Sequence, residues 1–268
     1  NWPEPQDMPS CLRQLMIWWY IPKRPAPMDD GAYAPRGAAR QSGPPPGRAA
    51  PTLVQWEEAV TQPETSRERL EWIYSSQGNR DLEERYDAWA DKYDQDVAGY
   101  GYKIPGIVAG FVCRYLKPAE GPLLDAGAGT GGMGEMLALL GYKDLVAIDL
   151  STGMLELARK KGIYRDIRQM LLGEHLDFPD NTFAGVTAVG VLSVVNTPPE
   201  SLAELTRCTR PGGCIIFSVR ADAQGFKEVQ DGLERHNKWS LVEAVEPFVP
   251  MPLVAPDIKH RVFVYRVV

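Results

Sequence analysis

The chain has 268 residues, 44% of them hydrophobic, and a formal net charge of −6, which is enough apolar material for one large domain with an appendage. Residues 1–50 hold six Lys/Arg against four acids, so the remainder carries a net charge of −8, a surface that repels phosphate backbones and argues against DNA or RNA as a partner. The apolar run from Leu15 to Ile21 is too short to span a bilayer and lacks the basic start and cleavage site of a secretory signal, so no membrane association is expected.

The four cysteines (Cys11, Cys113, Cys208, Cys214) form no paired motif. Cys113 and Cys214 sit in apolar runs where buried, reduced thiols are expected, which points to a cytoplasmic compartment. The three histidines (His175, His236, His260) lie far apart, so no metal centre is expected.

In chain order, residues 1–51 mix eleven prolines with Gly, Ala and Arg. Such a stretch cannot bury enough surface to offset its ordering entropy, and it is expected to be a disordered extension. Met28 offers an internal start, which would leave the Met16–Tyr20 cluster outside the natural chain; a partner-docking segment is the alternative. Residues 52–118 read as a helical lid region. Thr52 with Gln55 resembles a capping box for a helix to about Val60, a second helix spans 65–76, and Asn79 can cap a third over 82–97. Leu82, Tyr86, Trp89 and Tyr93 share one face of that third helix, and 107–116 form a fourth, stopped by Pro118.

From residue 119 onward strands and helices alternate. Strands are expected at 122–126, 144–149, 166–172, 183–192, 213–220, 239–247 and 260–267, and helices at 131–140, 152–161, 199–209 and 225–236. Gly141 and Gly162 sit where left-handed caps occur, Ser151 can cap the second helix, and Pro199 suits the first turn of the third. This rhythm predicts an α/β fold: a doubly wound, seven-stranded, mostly parallel sheet with an antiparallel last strand and N-terminal helices over the ligand site. The last two strands pair antiparallel because their proline-broken link (Pro250, Pro252, Pro256) cannot form a crossover helix.

The chemistry lies in Asp125-Ala126-Gly127-Ala128-Gly129-Thr130-Gly131, which follows an apolar run, and in Asp149, which ends the next one. Glycines on alternate positions suit a tight turn whose main chain touches a ligand. A carboxylate at the second strand end can accept both ribose hydroxyls. Gly127, Gly129 and Gly132 also fit the dinucleotide pattern G-x-G-x-x-G, which leaves an NAD-dependent oxidoreductase open. Against a diphosphate stand Asp125 at the strand end, the short chain remaining for a substrate domain, and the antiparallel terminal pair. A ligand with an ammonium group would instead be drawn to Asp125. S-adenosylmethionine meets all three objections.

The segments Asp125–Gly131, Ile148–Ala158 and Arg210-Pro-Gly-Gly213 resemble the motifs of the class I S-adenosylmethionine-dependent methyltransferases. Tyr86–Asp96, Leu172-Gly173 and Val189–Ser193 are similar to a methyltransferase-like branch of that family named for the Williams–Beuren syndrome region. The likeness covers about residues 80–220. It implies a Rossmann-like methyltransferase fold with S-adenosyl-L-methionine as cofactor and no metal. It also implies that Asp125, Ala126, Gly127, Ala128, Gly129 and Gly131 lie around the methionine part, with Gly190 nearby, and that Asp149 holds the ribose. Leu150 and Met154 would pack on the adenine, Leu172, Gly173 and Glu174 would meet its edge, and Tyr86, Trp89 and Tyr93 would form the lid. Two departures stand out: Ala184 follows Phe183 where many relatives carry an acid, and Leu172 replaces the usual acid at the adenine edge.

Methyl transfer from an activated sulfonium needs alignment more than a nucleophile, and no triad is visible. Ser193, Asn196 and His175 are the candidates for the acceptor side or for a base. The loop after the fourth strand lacks the aromatic that follows Pro-Pro in enzymes acting on planar amines. The expected function is therefore methylation of a small molecule, less so of a protein, by a monomer. The alternative class is a cofactor-binding protein that acts through a partner.

Overall fold

The computed structural model describes residues 63, 65–192 and 197–268. The expected extension over 1–51 and the helix proposed over 52–60 lie outside these residues. Three helices come first: α1 (Ser66–Tyr74), α2 (Asn79–Gly99) and α3 (Ile104–Tyr115). Then follow β1 (Leu123–Ala126), α4 (Gly132–Leu139), β2 (Leu145–Asp149), α5 (Thr152–Lys161), β3 (Asp166–Gln169) and β4 (Phe183–Leu192). The chain closes with α6 (Ser201–Cys208), β5 (Thr209–Arg220), α7 (Phe226–Arg235), β6 (Trp239–Ala244) and β7 (His260–Val267).

The seven strands form one sheet in the order β3-β2-β1-β4-β5-β7-β6. Strands β1 to β5 pair in parallel, whereas β7 runs antiparallel to both β5 and β6. The central strands β1, β2, β4 and β5 are largely buried on both faces, as parallel strands under helices require. One face packs Phe183, Phe217, Leu202, Leu205, Phe226 and Trp239 with α6 and α7. The other packs Val108, Val112, Leu137, Leu145, Ile216 and Val264 with α3 and α4, and takes in the buried Cys113 and Cys214.

Several element ends differ from the expectation. Helix α2 starts at Asn79 itself, with Gly78 as the flanking residue. A capping box is present one helix earlier, where the Thr65 hydroxyl accepts from the Glu68 N–H at 3.2 Å and the Glu68 carboxylate accepts from the Thr65 N–H at 3.2 Å. Strand β3 stops at Gln169 because Leu172 turns into the core and Gly173 takes φ +105. Strand β6 stops at Ala244, before Pro247, which has no N–H for a ladder. Strand β5 begins at Thr209, shifts register through 210–213 and rejoins β4 at Cys214. Pro199 lies in the turn ahead of α6 rather than in its first turn. Ser151 and Gly162 cap α5 as expected.

Helices α1 and α2 and the 250–258 link between β6 and β7 form a roof over the carboxyl ends of the strands. Their own core is Leu70, Ile73, Leu82, Trp89, Tyr100, Met251 and Ala255. Polar clamps fix the roof to the sheet domain. The Asp87 carboxylate accepts from the Ser151 hydroxyl at 2.5 Å and the Gly153 N–H at 2.8 Å, at the N-terminus of α5 where its charge is favoured. Asp94 accepts from the Thr130 hydroxyl at 2.5 Å and from Lys161 at 3.0 Å. Within the roof Arg67 pairs with Asp257 at 2.7 Å, and the Lys103 N–H ahead of α3 donates to the Pro250 carbonyl at 3.0 Å. Among the described residues no helix is long and apolar enough to cross a membrane.

Asp87→Ala removes the acceptor of two of these bonds and loosens the roof by about 1 kcal/mol per bond lost. Amide exchange across α2 should accelerate at least about fivefold while that of β1 and β4 stays as it was. Unchanged exchange in α2 would show that Asp87 is not a clamp.

Candidate functional site

The roof and the strand tips enclose a cavity with about 1040 Å³ of empty space, its mouth to solvent included. Its floor comes from the turn after β1, the end of β2 and the start of α5: Gly127, Gly129, Asp149, Leu150 and Met154 all line it. Val189, Gly190 and Val191 enter from β4, which loses register with β5 between Ala188 and Leu192 and bulges toward the cavity.

Asp149 organises the floor. One carboxylate oxygen accepts the Gly129 N–H at 2.8 Å and the other accepts the Ser151 N–H at 2.9 Å. Burial raises the Asp149 pKa, and the N–H bonds from Ser151, Gly129 and Leu150 work against that rise. Gly129 has φ +54, and a Cβ built there would meet no heavy atom within 4 Å, so its backbone is bare toward the ligand. Gly131 serves a different purpose. A Cβ there would meet the Tyr164 ring at 3.1 Å, so the third glycine makes room for a side chain and not for a ligand.

Tyr164 explains where Asp125 lies. Its hydroxyl donates to one Asp125 oxygen at 2.6 Å, and the Thr187 hydroxyl donates to the other at 3.1 Å. Asp125 is buried beneath the turn and does not line the cavity, so the expected attraction of a ligand ammonium group gives way to a structural role. Burial raises its pKa to about 6, with the two hydroxyl bonds opposing the rise. Ala126, Ala128 and Gly131 likewise shape the turn without lining the cavity.

The lid stripe is borne by α2 as the sequence suggested. Tyr86, Trp89 and Tyr93 line the cavity, with Tyr86 stacked on Trp89 at 6.2 Å and Trp89 edge-on to Tyr93 at 4.8 Å. The Trp89 indole N–H donates to Asp96 at 2.7 Å, which fixes the ring. Burial raises the pKa of Tyr86, Tyr93 and Tyr102, so all three remain neutral phenols. Gly190 has φ +70, and a Cβ there would strike the Tyr102 hydroxyl at 2.3 Å, so this glycine lets Tyr102 reach the strand.

The remaining candidates lie elsewhere. Leu172 is in the core, and Gly173 packs so tightly that a Cβ would meet Pro198 at 2.3 Å. Glu174 and His175 line an adjoining open depression with Asn79, Arg80 and Glu83, which meets the cavity at Leu150. The His175 side chain is 74% exposed and pairs with Glu204 at 3.0 Å, so it is not a base for this cavity. Ser193 and Asn196 lie outside the described residues.

Sequence reasoning missed the other half of the lining: Leu70, Ile73 and Tyr74 from α1, Tyr100 and Tyr102 after α2, and Met251 and His260 from the far end. The aromatic density of 72–102 was a usable signal for the first group. Nothing local marks His260, because only the reversed direction of β7 brings its first residue to the strand tips.

The chemistry of this lining selects among nucleosides. Asp149 is the one acid on it, and no Lys or Arg occurs among the described lining residues. A diphosphate would meet a carboxylate and no cation. A sulfonium would meet neutral aromatic faces, which attract cations. The floor therefore fits an adenosyl sulfonium.

Comparisons with known proteins agree. Residues 124–217 match the methyltransferase domain family. The chain is 34% identical over 179 residues to methyltransferase-like protein 27 from Homo sapiens, covering 62% of this chain and 73% of that protein. It is 34% identical to the malonyl-[acyl-carrier protein] O-methyltransferase of Serratia marcescens, over 52% of this chain and about half (53%) of that enzyme. Among solved structures, the [4+2]-cyclase SpnF shares the fold with a TM-score of 0.56 at 16% identity, over 72% of this chain and 97% of that one.

The Asp125 carboxyl sets a stability test. Its ordinary pKa of 3.8 is raised to about 6 in the fold, so its contribution is present below pH about 4 and is lost as pH rises through 6. The stability of the wild type relative to Asp125→Asn should fall by on the order of 2 kcal/mol between pH 4 and pH 7. Urea unfolding at both pH values reads this difference, and an equal gap at both would refute the assignment.

Proposed function

The chain belongs to the class I S-adenosylmethionine-dependent methyltransferases and uses S-adenosyl-L-methionine, and we propose that it methylates a small-molecule acceptor. The observation that carries the proposal is the cavity itself. It continues from the Gly129–Asp149 floor into an apolar and aromatic chamber roofed by α1, α2 and the 250–258 link. A roofed chamber suits an acceptor that enters whole better than a side chain on a folded protein.

In this reading main-chain groups at Gly127 and Gly129 hold the methionine part, and Asp149 holds the ribose. Leu150 and Met154 pack on the adenine, while Tyr86, Trp89 and Tyr93 exclude water above it. When bound, the cofactor supplies an activated methyl group on a positively charged sulfur. The protein's own contribution is alignment and dryness, and orientation of this kind is worth roughly 7–11 kcal/mol in favourable cases. The rings can also hold a cation in place without offering it a nucleophile.

In domain terms, α3 and residues 119–268 form the methyltransferase unit, and α1 and α2 its lid. The proposed protein acts as a monomer in the cytoplasm on neither nucleic acid nor membrane.

Two measurements test the reading. Incubating the purified chain with methyl-labelled S-adenosylmethionine and a cell extract should put label in the small-molecule fraction. Label confined to protein, or bound cofactor with no labelled product, would favour a protein acceptor or a pure binding role. Asp149→Ala should weaken S-adenosylmethionine binding at least about tenfold, or ~1.4 kcal/mol, by calorimetry, because ribose hydroxyls and two N–H groups lose their acceptor. Unchanged affinity, or tight NAD(H) binding by the wild type, would overturn the site assignment.

A further inference from the structure

His260 is 4% exposed, it lines the cavity, and neither ring nitrogen has a hydrogen-bond partner. An unpartnered imidazole at such a depth costs free energy unless a ligand completes it. Its backbone is pinned on both sides. The His260 N–H donates to the Phe248 carbonyl at 2.9 Å, the Phe248 N–H donates back at 2.9 Å, and His260 sits opposite Arg220 in the β5–β7 register. The ring is therefore held at a fixed place on the cavity wall.

The charged groups near it are Arg220 and Asp222, which pair with each other at 2.6 Å. The Arg220 guanidinium also lies 5.2 Å from the Tyr74 ring centre. Burial first, and then Arg220, push the His260 pKa down to about 4, with Asp222 opposing. The imidazole is neutral at physiological pH, so one nitrogen donates and the other accepts. The roof side of the same cavity is lined by Leu70, Ile73, Tyr74, Val97, Tyr100 and Met251, none of them charged.

We propose that this far half of the cavity is the acceptor subsite for an electrically neutral, apolar molecule bearing a hydroxyl group, and that the free nitrogen of His260 takes that hydroxyl's proton. The assignment rests on the methyltransferase reading above and deepens it. The acceptor oxygen forms its new bond to the methyl carbon as the carbon–sulfur bond breaks, and that bond's electron pair stays on sulfur. The hydroxyl proton passes to His260, which becomes imidazolium and later releases it to solvent. A weak base suffices, because the oxygen becomes strongly acidic as the new bond forms. The cavity's net charge is conserved, since one positive charge disappears from sulfur and one appears on the ring. Carboxylate and phosphate acceptors are disfavoured, because the described lining offers them no cation.

The test uses the full chain labelled with ¹³C and ¹⁵N in its histidine rings, saturated with S-adenosylhomocysteine and titrated with 1-naphthol or 1-naphthoate. Among three histidine signals, the one lost in His260→Asn should shift with 1-naphthol, which should bind at least tenfold more tightly than 1-naphthoate. His260→Asn and His260→Gln should each weaken 1-naphthol at least fivefold and leave S-adenosylhomocysteine affinity within twofold. Equal or tighter binding of 1-naphthoate, a silent His260 signal, or no binding of 1-naphthol would overturn the proposal. The wild-type preference for 1-naphthol over 1-naphthoate gives this answer even if both variants unfold, since equal or tighter 1-naphthoate binding overturns the proposal without them. Failure of S-adenosylhomocysteine itself to bind would instead strike the methyltransferase reading.

Discussion

The site depends on one carboxylate that joins two segments of chain. Asp149 ends β2 and accepts N–H groups from Gly129 and Ser151, so the turn after β1 and the start of α5 are set against each other by a single side chain. The backbone around Gly129 stays bare because its own donor is already satisfied sideways, which leaves the ligand-facing surface free. A parallel sheet alone would place these two strand ends near one another. The Gly127 and Ala128 N–H bonds to the Ile148 carbonyl, at 2.8 and 3.0 Å, set their relative height, and Asp149 adds the tie from Gly129 to the start of α5.

The roof is held by the same logic applied to α2. Asp87 and Asp94 reach from one helix to the N-terminus of α5, to Thr130 and to Lys161, so the lid is tied to the elements that form the floor. Its aromatic stripe then faces the cavity, and Trp89, 2% exposed, lies at the centre of a core that includes Met251 and Ala255 from the β6–β7 link. Floor, lid and link thus close around one volume. The chemistry that fits is a cationic sulfur beneath neutral rings, with a dry space beyond it.

Two residues show how a motif can mislead about roles. Asp125 and Gly131 belong to the glycine-rich signature, yet both serve Tyr164: one accepts its hydroxyl and the other leaves room for its ring. The signature is therefore as much about packing the turn as about holding a ligand. Leu172 and Glu174 show a related limit. They stand in the right place along the chain, but the turn at Gly173 sends Leu172 into the core and leaves Glu174 in another depression.

The sequence by itself determined the parallel α/β rhythm, the glycine turn, Asp149 and the lid stripe, because each is a local pattern: a period, a spacing or a strand end. Tertiary structure alone decided which face each candidate presents. It buried Asp125 under Tyr164, placed His175 on the outside, and carried Met251 and His260 over a hundred residues back to the glycine turn. The physical reason is that β7 runs against its neighbours. The prolines of the link already mark that direction, but only the closing of the whole sheet decides that β7 inserts between β5 and β6 and sets His260 opposite Arg220.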